Sequence, residues 1–194
     1  MAVSLTWSVM SKDILFNGEI VCLDDMLRAR EIRSYRQYTL LQDHPNQSLL
    51  SVTMNIPGAV KSSDLLEKAF LTVVNQIQNS LGSQAIGFEK TVFQKTGPEY
   101  YCLTDLSAQQ LKEKMIVIET ASPIGRLMDL DVLWWNEGHL VPISRKDLGY
   151  EARQCFICSA DAKTCGRSRK HTVLEMQEKI AAMLEPFLTN LKEE

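Results

Sequence analysis

Two aspartates stand two residues apart in an otherwise apolar stretch, SPIGRLMDLDVLWWNEGHL, which covers residues 122–140. On a β-strand, side chains at i and i+2 share a face, so Asp129 and Asp131 point the same way, roughly 7 Å apart. Two carboxylates this close repel each other when they are partly buried, unless a cation lies between them. The pair therefore predicts a site for a divalent ion, and a merely solvated strand face is the alternative.

Gly125 and Arg126 precede this pair, at the entry to the predicted strand. A glycine permits close backbone approach to a phosphate, and an arginine pairs with phosphate oxygens. Nucleotidyl transferases use the arrangement Gly-x-x-x-Asp-x-Asp, in which two carboxylates hold one or two magnesium ions that stabilise a departing diphosphate. The stretch thus predicts Asp129 and Asp131 as catalytic ligands of Mg²⁺.

A second group of metal-binding residue types follows in the pattern C-x₂-C-x₆-C-x₅-H, formed by Cys155, Cys158, Cys165 and His171. Three thiolates and an imidazole are a common tetrahedral set for structural zinc. The alternatives are that Cys165 packs in the protein interior and that His171 contacts phosphate. The pattern therefore yields zinc as one hypothesis among three.

The composition is that of an ordinary globular protein, with 45% hydrophobic and 23% charged residues in 194. We expect a single domain over residues 1–194, with a Cys-rich loop at 153–171 leading into a C-terminal helix. No apolar run reaches the roughly 20 residues that cross a bilayer, so no membrane partner is expected. The opening MAVSLTWSVMSKD lacks the features of a secretory signal, which predicts a cytoplasmic protein with reduced cysteines.

The formal charge of −3 argues against a general nucleic-acid binder. Positive charge is nevertheless concentrated in LRAREIRSYR and CGRSRKH, as an anionic small molecule requires.

The elements that must position these residues are helices and strands interleaved without the strict alternation of a doubly wound sheet. Helical periodicity and capping signals predict helices over 23–42, 62–82, 107–115 and 172–188. Alternation predicts a half-buried strand over 49–58, a hairpin over 85–106, a strand over 115–119, and a hairpin from the aspartate strand into residues 139–145. We therefore predict an α+β fold, with a mixed or antiparallel sheet and flanking helices.

Five segments together resemble the apo-citrate lyase phosphoribosyl-dephospho-CoA transferases, the holo-acyl-carrier-protein synthases of citrate lyase. They are LRAREIRSYRQ, SVTMNIPGAVKSS, PIGRLMDLDV, ISRKD and RQCFICSADAKTCGRSRKH, in the family's order. The resemblance implies a nucleotidyltransferase-like fold. It also implies transfer of phosphoribosyl-dephospho-CoA from 2′-(5″-triphosphoribosyl)-3′-dephospho-CoA to a serine of the citrate lyase acyl carrier protein, with release of diphosphate.

The resemblance extends to particular residues. It implies Mg²⁺ at Asp129 and Asp131, and it places a carboxylate, here Glu119, at a position where the family tends to have one. Glu119 is then a third metal ligand or the base that takes the serine proton, and a solvated strand end is the alternative. The chain departs from the family in carrying Ser122, where a histidine commonly precedes the proline.

A donor with a triphosphate and a diphosphate requires several converging cationic and polar groups. The residues expected to supply them are Gly125, Arg126, Arg145, Arg153, Arg167, Arg169, Lys170, Arg30, Arg33, Asn55, Gly58 and Lys61. For each taken singly, a surface charge is the alternative.

Two other functions remain compatible with the sequence. One is the corresponding synthase for the malonate decarboxylase carrier, which uses the same donor chemistry. The other is a non-catalytic zinc-knuckle adaptor, for which the aspartates would be dispensable.

Overall fold

The computed structural model describes residues 13–82 and 86–191. The opening residues, from which we predict that there is no secretory signal, lie almost entirely outside this part. The main helices are α1 (Leu23–Asp43), α2 (Asp64–Leu81), α3 (Ala108–Ala121), α4 (Ala162–Ser168) and α5 (Val173–Asn190). The strands are β1 (Ser48–Met54), β2 (Ile86–Val92), β3 (Glu99–Thr104), β4 (Met128–Asn136) and β5 (His139–Ile143), and a 3₁₀ turn, Gly125–Leu127, precedes β4.

The five strands form one sheet in the order β2-β3-β1-β4-β5, and every neighbouring pair is antiparallel. The predicted α+β class is therefore confirmed. Of the two sheet types predicted, mixed or antiparallel, the sheet is antiparallel. Both predicted hairpins are present. The turn before β3 includes Gly97 in the left-handed region (φ 109°), and Glu137 and Gly138 adopt positive φ in the turn before β5.

Helices cover both faces of this sheet. The larger core lies on one face, where α2, α3 and α5 pack against β1, β3 and β4. A smaller core lies on the other face, where Leu41 of α1 packs against the same three strands. The predicted half-buried strand at β1 is therefore wrong, because α1 covers its polar side. Ser51 is only 2% exposed, and the side-chain amide of Gln37 donates to its hydroxyl at 2.9 Å.

The prediction of a short helix followed by a strand at 115–119 is also wrong, because one continuous helix, α3, runs to Ala121. The β-branched residues suggested a strand, but tertiary burial follows the helical period. Leu111, Met115 and Ile118 are buried in the core, whereas Val117 between them is 65% exposed. As a consequence, Glu119 lies in the last turn of a helix and not at a strand end.

Side-chain hydrogen bonds cap the N-termini of most of these helices. The capping boxes predicted for α3 and α5 are confirmed. At α2 the cap is Ser63, whose hydroxyl accepts the backbone N–H of Leu66. None of the described helices combines the length and the apolar character needed to span a membrane.

Candidate active site and metal centre

Asp129 and Asp131 lie on the face of the sheet that α1 covers. They pair across β1 with Thr53 and Ser51, whereas the residues between and beside them, Met128, Leu130 and Val132, are buried in the larger core. The two carboxylates therefore share one face, as the alternation in the sequence predicts.

One edge of β4 is free at this point, because β5 pairs only with Val132–Asn136. Long cationic side chains bind the backbone carbonyls of β4 along the part of this edge that β5 does not reach. Lys112 of α3 donates to the carbonyl oxygen of Leu130 at 2.7 Å, and Arg153 donates to that of Met128 at 2.9 Å. The free edge thus brings cationic groups close to both aspartates.

Arg153 is the residue most closely tied to the acidic pair. Its Nη1 donates to Asp129 Oδ1 at 2.7 Å, its Nε pairs with Glu119 Oε1 at 2.5 Å, and its Nη2 donates to the carbonyl oxygen of Arg126 at 2.7 Å. A planar guanidinium bound on several sides has little freedom to rotate. Arg153 is therefore held with its charge against the first aspartate.

Glu119 binds two arginines at once. Its Oε1 is paired with Arg153, and its Oε2 accepts from Nη2 of Arg145 at 2.8 Å. The residue is only 7% exposed, and a carboxylate that is buried to this extent needs such compensation. Glu119 thus fixes Arg145 and Arg153 on the same side of the aspartate pair.

The pKa of Asp131 reflects the conflict that the sequence predicts. Desolvation by the surrounding protein raises it above the ordinary value of 3.8, and the negative charge of Asp129 raises it further. Lys112, Arg33 and Arg153 act in the opposite direction but do not cancel these effects. Asp131 retains contact with solvent, so a cation can reach it. Burial in turn lowers the pKa of Lys112.

The side facing α1 has a second buried carboxylate, Glu99, which is only 1% exposed. Arg33 and Arg36 pair with its two oxygens at 2.9 and 2.8 Å, and Arg36 also donates to the hydroxyl of Tyr101. Arg33 is thereby held on the face that carries the aspartates. Arg33 is among the ligands predicted from the sequence, whereas Arg36 and Glu99 are not.

Gly125 permits a close approach, but the partner is helix α3. A methyl group on Gly125 would lie 2.3 Å from the carbonyl oxygen of Ile118, so only glycine fits without displacing backbone. Ser122, the residue that departs from the family pattern, ends α3, and its hydroxyl accepts the N–H of Gly125 at 3.1 Å. These contacts set the angle at which the chain enters β4. The side chain of Arg126 donates to the carbonyl oxygen of Gln154.

Asn55, Gly58 and Lys61 lie in the connection from β1 to α2. The N–H of Asn55 donates to the carbonyl of Leu127, which ties this connection to the turn before β4. Gly58 (φ 91°) packs against Gln177 in α5. The ammonium group of Lys61 donates to a carbonyl of its own loop, and burial lowers its pKa. Of these three, Gly58 lies beside α5, and none contacts the aspartates among the described residues.

Several other predicted phosphate ligands are exposed. Arg30, Arg167 and Arg169 form no ion pair with a described residue, and Lys170 lies 3.7 Å from the sulfur of Cys158. The three arginine side chains are exposed and can meet a ligand, but the described contacts join none of these four residues to the acidic pair.

Cys155, Cys158, Cys165 and His171 come together in one cluster, with one ligand atom from each lying within 4.8 Å of all the others. His171 Nε2 is 3.2 Å from Cys158 Sγ. A hydrogen bond from the Ala160 backbone and the contact with His171 lower the pKa of Cys158, whereas burial and the other two thiols raise that of Cys165 to about 11. Three thiols this close cannot all ionise without a cation. The cluster can therefore bind a metal such as zinc.

Lys112 is the residue of this site that sequence reasoning missed despite an available signal. It is 9% exposed and stands beside Leu111 and Met115 on the apolar face of α3. A lysine on the buried side of a helix is rare unless its ammonium group has a partner.

Comparison with known proteins defines the class of this chain as a transferase. A family model described as apo-citrate lyase phosphoribosyl-dephospho-CoA transferase matches residues 21–187. The chain belongs to this family, as its motifs predicted.

The relatives agree with this assignment. A probable apo-citrate lyase phosphoribosyl-dephospho-CoA transferase of Streptococcus pyogenes is 54% identical over 178 residues, which cover 92% of this chain and 93% of the relative. A protein of the same name from Vibrio cholerae is 36% identical over 171 residues, covering 86% and 93%. Protein CitXG of Leuconostoc mesenteroides is 34% identical over 176 residues, which cover 90% of this chain but 37% of that longer protein.

Proposed function

We propose that this protein transfers phosphoribosyl-dephospho-CoA from 2′-(5″-triphosphoribosyl)-3′-dephospho-CoA to a serine of the citrate lyase acyl carrier protein. The serine hydroxyl releases its proton as its oxygen forms a bond to the phosphorus nearest the ribose, the bond from that phosphorus to the diphosphate breaks, and a phosphodiester remains. Membership of the family and the names of the relatives favour this function over a malonate decarboxylase carrier synthase and over a non-catalytic adaptor.

The single observation that carries the proposal is the acidic pair at the free edge of β4, with Arg153 bound to it. Asp129 and Asp131 offer carboxylate oxygens on one face, and desolvation together with the charge of Asp129 raises the pKa of Asp131, so a cation bound by both oxygens would relieve their repulsion. We assign Mg²⁺ to this pair; when bound, it would neutralise the donor's phosphates and stabilise the departing diphosphate. In this respect the site is nucleotidyltransferase-like.

The cations around the pair have a complementary role. Arg33, Lys112, Arg145 and Arg153 surround the site with positive charge, as a polyphosphate requires. Both oxygens of Glu119 are engaged by arginines, so we assign to it the positioning of Arg145 and Arg153 and not the role of base.

The remaining predicted ligands supply the outer parts of the donor site in this proposal. The exposed members have side chains available for the diphosphate and nucleotide portions of the donor. They are Arg30, Arg126, Arg167, Arg169 and Lys170.

We assign zinc to the cluster of three cysteines and one histidine, because thiolate and imidazole are the ligands that zinc prefers in a structural site. Its four ligands belong to the chain itself, which suits a resident ion that does not exchange during turnover.

The proposal is tested by mass spectrometry of the apo carrier protein after incubation with donor and Mg²⁺. The wild-type protein should add the mass of one phosphoribosyl-dephospho-CoA group. Asp129→Asn and Asp131→Asn should each slow transfer by at least about a hundredfold, because a metal ligand is lost.

Asp43→Asn serves as the matched control, since Asp43 is an exposed residue at the end of α1. It should transfer at the wild-type rate. If an aspartate-pair variant matched that control, or if the added mass were that of another group, the proposal would be wrong.

A further inference from the structure

We infer that a zinc ion bound by Cys155, Cys158, Cys165 and His171 sets the position of Arg153 against Asp129. The metal centre then controls the acidic site directly and is not a remote structural support. The inference deepens the proposed function, because it rests on the role given there to Asp129 and Arg153.

The four ligands come from separate parts of the chain that a metal would join. Cys155 and Cys158 lie in the loop after β5, Cys165 is in α4, and His171 stands just before the Thr172 cap of α5. A tetrahedral zinc site places its sulfur ligands about 3.8 Å apart. The four ligand atoms here lie within 4.8 Å of one another, so only small shifts would bring them to that separation.

A short ladder connects the cluster to Arg153. The carbonyl of Arg153 accepts the N–H of Ala162 at 2.8 Å, and the N–H of Cys155 donates to the carbonyl of Ala160 at 2.8 Å. Gln154 and Asp161 form the bridge between these two bonds. Arg153 therefore lies on a paired segment, two residues from the first ligand, and its backbone moves with the metal loop.

Little apolar packing holds this region in place. Within residues 144–172, all of which the structure describes, Cys165 is the only buried residue, and Phe156 is partly buried against the larger core. A segment with so few buried apolar contacts depends on its ligands for order, as small zinc-binding units do.

The consequence falls on the acidic site. If residues 153–162 lose their order, Arg153 leaves Asp129, and Glu119 loses its ion pair with Arg153. Metal loss should therefore impair the site while the sheet, with its own core, stays folded.

The first test is zinc content and amide hydrogen exchange of the full-length protein. Wild type should hold one zinc per chain, and Cys158→Ser should lose it. In that variant the amides of residues 153–162 should exchange at least about tenfold faster, with β1 and β3 unchanged. Cys22→Ser is the matched control, because Cys22 is exposed at the start of α1 and outside the cluster; it should keep both zinc and protection.

A second pair of variants guards against general misfolding. His171→Cys retains four zinc ligands and should keep zinc, whereas His171→Ala should lose it. Absence of zinc from the wild type, or unchanged exchange at 153–162 on its loss, would overturn the inference. Neither readout uses the donor, so they decide this question even if the transfer reaction itself proves to be different.

A double-mutant cycle then tests whether the metal acts through Arg153. Cys158→Ser should slow transfer by about tenfold to a hundredfold, because misplacement of a positioned group by an ångström costs that much. In an Arg153→Ala background the same change should add little, since its target is already gone. Losses that multiply would show that zinc acts on the site by another route.

Discussion

At the scale of single residues, Asp131 shows why an apolar strand carries two acids. In the segment Met128–Val132, which contains Asp131, every second side chain packs into the core. Both carboxylates therefore lie together on the other face. Desolvation and the charge of Asp129 disfavour the ionised form of Asp131, so a cation that binds to the pair would stabilise it.

This leads to a prediction for Asp131→Asn in Mg²⁺-free buffer. The pKa of Asp131 is higher in the folded protein than its ordinary value of 3.8, so the folded state binds this proton more tightly than the unfolded chain. Ionised Asp131 therefore costs stability near neutral pH, and this cost disappears as the pH falls to about 4 and below. The variant should melt slightly higher than wild type near neutral pH, because solvent at this exposed residue screens part of the cost, and the difference should shrink on acidification.

Thermal unfolding followed by circular dichroism at several pH values measures this difference. Asp43→Asn should show no such dependence, because its carboxylate is exposed and distant in sequence from the pair. A variant that is less stable than wild type near neutral pH would contradict the prediction.

At the scale of elements, α3 has two roles. Its apolar side packs in the larger core, while Lys112 and Glu119, seven positions apart, reach the free edge of β4. Residues with this spacing share one helical face, so the length of the helix decides whether both reach the edge. A helix that ended at Met115, as predicted, would not carry Glu119 to the two arginines.

The contact between α3 and the turn before β4 can be tested with Gly125→Ala. The added methyl group meets the backbone oxygen of Ile118 at 2.3 Å, which cannot move away without disturbing the helix. Overpacking of this kind should lower the free energy of unfolding by about 2 kcal/mol, as measured by urea denaturation. Transfer should also fall, because the turn sets the position of Asp129 relative to Glu119.

Gly166→Ala is the control for this change. A methyl group on Gly166, within α4, would contact nothing within 4 Å, so the substitution should leave stability unchanged or slightly higher. Equal effects of the two glycine replacements would refute the explanation.

At the scale of the whole molecule, the site is assembled from four parts of the chain. Helix α1 brings Arg33, helix α3 brings Glu119, strand β4 brings the aspartates, and the loop after β5 brings Arg145 and Arg153. This assembly is possible because β5, the edge strand beside β4, is short and leaves the start of β4 unpaired on that side.

Glu119→Gln should reveal how these parts depend on one another. The amide cannot balance two guanidinium groups, and a lost charge-assisted hydrogen bond costs about 2 kcal/mol. We therefore expect a lower urea midpoint together with reduced transfer at saturating donor, because Arg145 and Arg153 are no longer held. Glu113→Gln, on the same helix and bonded only to Gln109 among described residues, should be close to wild type in both measurements. Full transfer by Glu119→Gln would exclude the positioning role.

The sequence predicted the elements that depend on local chemistry. Alternation in β4, the capping boxes of α3 and α5, and both hairpins are confirmed, because each is specified by residues near in sequence. It failed at residues 115–119, where local β-propensity conflicts with burial that only the packed core defines.

The sequence by itself determined the family, the pair of acids on one strand face, and the cysteine and histidine spacing that can hold a metal. These are properties of neighbouring residues or of motifs in order. Only the tertiary structure decided which cations meet the acids, because Arg153 and Asp129 are 24 positions apart. Their contact depends on where β5 ends and on how the loop returns to the sheet edge.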